Sequence, residues 1–330
     1  MNFPNAFYLL AFAGAFATAL LALPWWRQWC LRSGLNDDPG HRKIHASPVP
    51  LAGGLAVMTA LAVPVLLGLL ALWAQRTHLI SLCDPATADR LAYGLHKRSL
   101  ELTAIFLGAL GMLIVGLLDD KHELKPAWKF AGQFFIALMV AAAGARITLF
   151  VPSLLFSYAV TILWILTVIN AFNFMDNMNG LCGGLGAISA LGFALLSALA
   201  GQYLVALIAF LTCGALVGFL PYNFPHARAF LGDAGSHLVG YLLAVLAILP
   251  HFHTAKNPQP LAVLSPLLIL AVPLGDLVWV VLLRWKLGKP FYIGDNNHLS
   301  HRLVRLGCTR AQAVMLIWLL AVLLAALAFV

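Results

Sequence analysis

Charge is scarce in this sequence. Only 10% of its 330 residues are Asp, Glu, Lys or Arg, whereas 62% are hydrophobic and the mean hydropathy is +0.91. That balance excludes an ordinary soluble domain and points to a polytopic membrane protein. Cysteine is scarce as well. The five thiols, Cys30, Cys83, Cys182, Cys213 and Cys308, form neither a disulfide framework nor a metal-ligand spacing. No cationic residue precedes Arg27, so the basic segment that opens a cleaved signal peptide is not expected. Fixed-period repeats, low-complexity tracts, soluble appendages and P-loop patterns are also absent.

What is present is a series of apolar runs of about 17–25 residues, the length that crosses a bilayer. They fall near 5–26, 51–73, 101–118, 127–145, 154–172, 181–200, 203–220, 236–250, 261–283 and 312–330, the eighth being short for a full crossing. The expected fold is all-α: one membrane helix bundle over residues 1–330, with about ten transmembrane helices. Placing the N-terminus outside makes the loops at 27–50, 119–126, 173–180, 221–235 and 284–311 cytoplasmic. Those loops and the residues beside them then hold fourteen of the twenty Lys and Arg. The other six are Arg76, Arg90, Lys97, Arg98, Arg146 and Lys256. This is the positive-inside bias. The net charge of +8 is explained by topology and lipid head groups, with no need of nucleic acid. Within the 74–100 loop, "RLAYGLHKRS" could form a short surface helix.

The acids have a less expected distribution. Nine of twelve fall on the cytoplasmic side: Asp37, Asp38, Asp119, Asp120, Glu123, Asp176, Asp233, Asp276 and Asp295. Asp119 and Asp120 end the third span, where the helix dipole already disfavours each by about 0.3–1 kcal/mol. Asp276 stands inside the ninth apolar run, where mid-bilayer burial would cost about 2.5–3.5 kcal/mol. One such acid is most simply a cap or a lysine partner; several at one membrane depth read as a site. Carboxylates beside basic residues at a water–membrane boundary suit Mg²⁺ and phosphate together, with Mn²⁺ as an alternative ion. Zinc fits less well, because only His298 and His301 have ligand spacing.

The cytoplasmic loops carry the remaining chemistry. "DDPGHRKIHASPVPLAGG" sets Arg42, Lys43 and His45 before a rigid Pro48–Pro50 stretch. By itself it reads as a positive-inside anchor. Lys121, Lys125 and Lys129 follow the aspartate pair at intervals of four. "NAFNFMDNMNGLCGGLGA" concentrates Asn170, Asn173, Asp176, Asn177 and Asn179 ahead of a glycine-rich helix start, an arrangement suited to an anion. "PYNFPHARAFLGDAGS" supplies Asn223, Phe230, Asp233 and Ser236, and "GDNNHLSHRLVRLG" places His298, His301 and Arg302 on one basic amphipathic turn.

Together these motifs resemble the polyprenyl-phosphate N-acetylhexosamine-1-phosphate transferases, the family that includes the phospho-MurNAc-pentapeptide transferase. "RKIHASPVPLAGG", "LLDDKHELKPAWKFAGQ", "NAFNFMDNMNGL", "FLGDAGS" and "HLSHRL" occur in family order between about residues 39 and 307. The resemblance implies a bundle with a cytoplasm-facing active-site cleft in a bacterial inner membrane. It places the family's catalytic aspartates on Asp119, Asp120 and Asp176, and its metal aspartate on Asp233, helped by Asp120 or Asp176. It implies that Asn173, Asp176, Asn177, Asn179, Asn223 and Phe230 line a uridine and pyrophosphate pocket. Lys43, His45, Lys129, His298, His301 and Arg302 are the further substrate-binding candidates. Two departures stand out: "DNMNG" puts Asn179 where many members have an acid, and "HLSHRL" differs from the triple histidine of the pentapeptide transferase. The second favours the sugar-transferring branch.

The implied reaction moves N-acetylhexosamine-1-phosphate from a UDP-sugar, most often UDP-GlcNAc, to undecaprenyl phosphate, releasing UMP. Asp119 would then orient the acceptor phosphate or take its residual proton. Another UDP-HexNAc or UDP-MurNAc-pentapeptide is the alternative donor, and a homodimer is left open. A secondary transporter is the rival from another class; it would place its ionisable groups near the midplane within paired repeats, which the sequence does not show. A silent scaffold is a third reading and would make the acids dispensable.

Overall fold

The structure is a computed structural model, and it describes residues 3–37, 48–149, 151–250, 263–290 and 295–330. The candidate arm residues Lys43 and His45 lie outside the described residues. Helices account for nearly all the regular structure: α1 (Asn5–Ser33), α2 (Gly53–Arg76), α3 (Pro85–Lys97), α4 (Ser99–His122), α5 (Pro126–Ala142), α6 (Leu154–Met175) and α7 (Leu181–Leu199). They continue with α8 (Tyr203–Phe219), α9 (Gly232–Leu246), α10 (Ser265–Ile269), α11 (Ala271–Lys286), α12 (Leu299–Arg305) and α13 (Arg310–Ala326). One antiparallel pair of two-residue strands joins Asn36–Asp37 to Val49–Pro50.

Each of the ten apolar runs contains a helix, and those helices differ in length. Among the described residues seven helices are long and apolar enough to span a bilayer: α1, α2, α4, α6, α7, α8 and α13. The shorter ones are α5, α9 and α11, with 17, 15 and 16 residues. The ninth run is broken at Leu270, where α10 ends and α11 begins. The external helix expected within 74–100 is α3. Asp84 caps it by accepting from the Thr87 N–H at 2.9 Å, with Pro85 at its first position.

The bundle is organised around α9. Every residue of this helix is buried except Asp233 in its first turn. An all-apolar surround requires neighbours on every side, and α2, α4, α6 and α7 supply them. Small residues permit the closest approaches. A Cβ on Gly116 of α4 would overlap the backbone of Ala234, and one on Gly54 of α2 would lie 2.6 Å from the Gly235 nitrogen. These contacts draw the end of α4 and the start of α2 against the first turn of α9.

Gly116→Leu is therefore expected to force α4 from α9 and to lower stability by about 1–3 kcal/mol or more. Gly68→Ala, at a position with nothing nearby, is the control. Thermal melts in detergent that coincide for the two variants would contradict this packing.

Candidate active site

Two tight features bring the acids together. Glu123, at φ +46, ends α4, and Pro126 starts α5 three residues later. The chain so reverses direction, and Lys129, one turn into α5, comes back beside the end of α4. Its Nζ lies 2.6 Å from Asp119 Oδ2 and 2.8 Å from Asp233 Oδ2, so one ammonium joins two helices' carboxylates. Asp119 Oδ1 also accepts from the Leu124 N–H at 2.9 Å. On the far side, Asn173 Nδ2 donates to Asp233 Oδ1 at 2.6 Å and to Ser236 Oγ at 3.0 Å.

Asp120 has a different task. Its Oδ1 accepts from the Asp233 N–H at 2.8 Å and its Oδ2 from the Ala234 N–H at 3.0 Å. A carboxylate from α4 thus caps the N-terminus of α9, where the dipole favours negative charge. The two adjacent acids at an unfavourable helix end are both accounted for: one meets a lysine, the other a foreign helix start. Gly232, at φ +70, leaves room for this cap, since a Cβ there would lie 2.7 Å from Asp120 Oδ2.

The cluster opens into a cavity of about 1120 Å³. Its polar end holds Asp119, Asp120, Lys129, Asn173 and Asp233, with Asn36 and Asp37 from the first loop. Its other end is apolar, formed by Phe130, Phe134, Ile162, Leu166, Leu277 and Val281, among others, from α5, α6 and α11. Leu163 lines this end while 67% exposed, so the cavity is open sideways on the lipid-facing surface of the bundle.

The other sequence candidates surround this centre. Asp176 follows α6 and accepts no hydrogen bond from the described residues. Crowding by packed atoms, reinforced by the Asp233 and Asp120 charges, pushes its carboxyl up to about 8, although part of the side chain meets solvent. Asn177 donates to the Phe174 carbonyl at 2.6 Å and accepts from Ser300 Oγ at 2.7 Å. Asn179 donates to the Pro225 carbonyl at 3.1 Å. His298 and His301 have ring centres 6.3 Å apart, and Arg302 stacks on Trp279 at 4.8 Å.

Two expectations meet a different geometry. Asn223 is 4% exposed and spends both polar atoms on backbone: it accepts from Gly180 N–H at 2.6 Å and donates to the Ala229 carbonyl at 2.9 Å. It braces the loop instead of facing the cavity. Phe230 is half-buried against the core, and its backbone pairs with Pro50 and Gly53. The glycine-rich start of α7 is likewise not an open anion cradle. Gly180 N–H is taken by Asn223, and the spaces beside Gly183, Gly184 and Gly186 are filled by Phe219, by Trp318, and by Val239 with Leu216.

A polar layer one turn deeper joins Asn170 to two residues that the sequence did not single out, Gln133 and His237. Asn170 donates to Gln133 Oε1 at 2.9 Å, and Gln133 Nε2 lies 3.5 Å from His237 Nε2. These residues stand one turn from Asn173, Lys129 and Asp233 on the same three helices. The only sequence signal for them was that spacing.

Among the described residues no three His, Cys, Asp or Glu side chains converge as a metal cage. The donor chemistry nevertheless fits Mg²⁺, which takes one or two carboxylates and completes its shell with phosphate oxygens and water. Asp119 and Asp233 already share a cation, in the form of the Lys129 ammonium, at the edge of a cavity large enough for such ligands.

A membrane-embedded helical bundle whose clustered carboxylates face a half-polar, half-apolar cavity defines a membrane enzyme working at the bilayer surface. Residues 102–251 match the family model for glycosyl transferase family 4. Over 342 aligned positions the chain is 31% identical to the decaprenyl-phosphate N-acetylglucosaminephosphotransferase of Mycolicibacterium smegmatis, covering 94% of this chain and 79% of the relative. It is 29% identical to the probable undecaprenyl-phosphate N-acetylglucosaminyl 1-phosphate transferase of Bacillus subtilis, covering 94% and 81%. The corresponding undecaprenyl-phosphate alpha-N-acetylglucosaminyl 1-phosphate transferase of Escherichia coli K12 is 26% identical, covering 91% and 77%. The chain belongs to glycosyl transferase family 4.

Two outcomes follow for the site. Asp120→Ala leaves two N–H groups of α9 unpaired in a confined place, each costing about 1–3 kcal/mol; unfolding in denaturant is expected to show that loss, and an unchanged midpoint would contradict the capping role. For Asp176 the folded pKa of about 8 exceeds the unfolded value of about 3.9. The folded state therefore binds the extra proton between those values, and metal-free stability falls as pH rises from about 4 to 8. Asp176→Asn is expected to flatten that fall; identical pH dependence in both proteins would contradict it.

Proposed function

We propose that this chain transfers N-acetylglucosamine-1-phosphate from UDP-N-acetylglucosamine to a polyprenyl phosphate, most simply undecaprenyl phosphate, and releases UMP. The observation that carries the reading is the two-ended cavity. Its apolar half, open toward lipid, suits an isoprenoid tail, and its carboxylate–lysine end lies where the phosphate of that tail would stop. The relatives named for this chemistry span almost the whole chain. Placed in a bacterial cytoplasmic membrane with the site facing the cytoplasm, the reaction would start an envelope glycan.

The acceptor phosphate, with a second pKa of about 6, is largely dianionic at neutral pH and needs little help from a base. Its need is for charge neutralisation and alignment with the β-phosphorus of the donor. Lys129 supplies a cation at the point where Asp119 and Asp233 converge, and Asp119 is placed to orient the phosphate and to accept any residual proton. Asn173 fixes Asp233 from the opposite side. When bound, Mg²⁺ held by Asp233, with Asp119, Asp120 or Asp176 as helper, would offset the charge on the donor's phosphates. Asn177 and Asn179, in the loop after α6, with His298, His301 and Arg302 near α12, supply donors for the nucleotide. One phosphoanhydride replaces another, so the exchange needs no ATP.

Purified protein in detergent is expected to release UMP from UDP-N-acetylglucosamine only when undecaprenyl phosphate and Mg²⁺ are both present. Asp233→Asn should lower the rate by at least about 100-fold, and EDTA should abolish it. No UMP across a panel of UDP-sugars, from folded protein, would overturn the proposal.

A further inference from the structure

Asp276 is a buried carboxylate within an apolar helix that the proposed reaction does not use. It lies in α11 and is 6% exposed, a placement that is costly unless the charge is fully partnered. The structure supplies the partners from the far end of the following loop. Asp276 Oδ2 lies 2.6 Å from Nδ1 of His298, itself 5% exposed, and Oδ1 accepts from the Leu299 N–H at 2.6 Å. Both oxygens therefore grip one point of the chain, the histidine that precedes α12. Nearby, Arg284 of α11 donates from Nε to Asp295 Oδ2 at 2.8 Å and places Cζ 4.9 Å from the Phe174 ring centre. The His298 ring meets the same Phe174 edge-on at 5.6 Å, and Phe174 lines the reaction cavity.

We propose that Asp276 is a positioning residue for donor binding: it fixes the His298 ring by its Nδ1 and so commits Nε2 to the diphosphate of the nucleotide sugar. This rests on the transferase reading and deepens it. The chemistry follows from the bond directions. A carboxylate accepts only, so the Nδ1 it holds must carry the proton. Nε2 is then the remaining polar atom of the ring, among the described residues nothing in the protein engages it, and in the imidazolium form it carries a proton that it donates to a phosphate oxygen. The Leu299 N–H bond prevents the carboxylate from rotating away, so the ring is held in one orientation. A ring anchored in this way has little freedom to lose when an anion binds, which is the benefit of preorganisation. Ser300, two residues on, ties the same turn to Asn177 at 2.7 Å, so the fixed histidine and the loop after α6 form one unit.

The experiment is calorimetric binding of UDP-N-acetylglucosamine to full-length protein in detergent, without lipid acceptor, for wild type, Asp276→Asn, His298→Ala and the double variant. Asp276→Asn offers one acceptor where two are needed, so it frees the ring while keeping the shape of the side chain. Each single variant is expected to weaken binding by about 10–100-fold, the usual cost of losing a histidine's orienting partner. The double variant should bind no more weakly than His298→Ala alone, since Asp276 acts through His298. Multiplying losses, or affinity within twofold of wild type in Asp276→Asn, would overturn the proposal. Asp276→Ser, which still accepts from Leu299 N–H, replaces Asp276→Asn if that protein does not fold. Unfolding of both beside a folded His298→Ala would make Asp276 purely structural and also overturn it. Wild-type protein that does not bind the nucleotide sugar at all would instead refute the transferase reading.

Discussion

Lys129 holds together charges that otherwise would drive α4 and α9 apart. Asp119 at the end of α4 and Asp233 at the start of α9 both lie within 2.8 Å of its Nζ. Two carboxylates that close repel strongly in a site only partly open to water, and the repulsion weakens only if a cation stands between them. Asp120 adds a second constraint of the same kind, because its charge is spent on the exposed N–H groups of α9. The acids are therefore structural and reactive at once. They fasten the N-terminal end of α9 in place, and in doing so they leave a compact region of negative charge beside an ammonium.

The position of that region matters as much as its charge. α9 is buried along its whole length, and only Asp233 emerges. The helix thus acts as a post whose tip carries the central carboxylate to the floor of the cavity. Around it, α5, α6 and α11 expose apolar side chains toward the same space. A lipid phosphate has an apolar chain and a doubly charged end, and few sites offer both surroundings within one continuous cavity. The cavity meets that requirement, with carboxylates and a lysine at one end and apolar side chains at the other.

Much of this was legible in the sequence, for definite reasons. Apolar runs of spanning length and the distribution of lysine and arginine gave the bundle, because both follow from the bilayer itself. The acids at the span ends singled out a candidate cluster, because unpartnered charge there is costly, and the structure brings Asp119, Asp120 and Asp233 together. Partnership was not legible. Nothing local in "GLLDDKHELKPAWK" says that Asp119 takes Lys129 while Asp120 takes the backbone of a helix more than a hundred residues away. The local partners of Asn223 and of the α7 glycines were not legible for a related reason. Polar and small residues near a helix start resemble a ligand cradle in sequence, whereas here they brace a loop and admit Phe219 and Trp318. Helix lengths were also beyond a hydropathy reading: α9 and α11 have 15 and 16 residues, and the ninth run breaks at Leu270.

In the proposed reaction the sugar phosphate passes directly from nucleotide to lipid beside the Asp119–Lys129–Asp233 cluster, with UMP leaving. The most direct measurement follows ³²P from UDP-N-acetylglucosamine labelled in its β-phosphate, with purified protein, undecaprenyl phosphate and Mg²⁺, quenched in acid. The account predicts that label moves into the organic-extractable lipid, none stays on protein, and Lys129→Met abolishes the transfer. Label retained on the protein would contradict direct passage, and unlabelled lipid from folded wild-type protein would contradict the account as a whole.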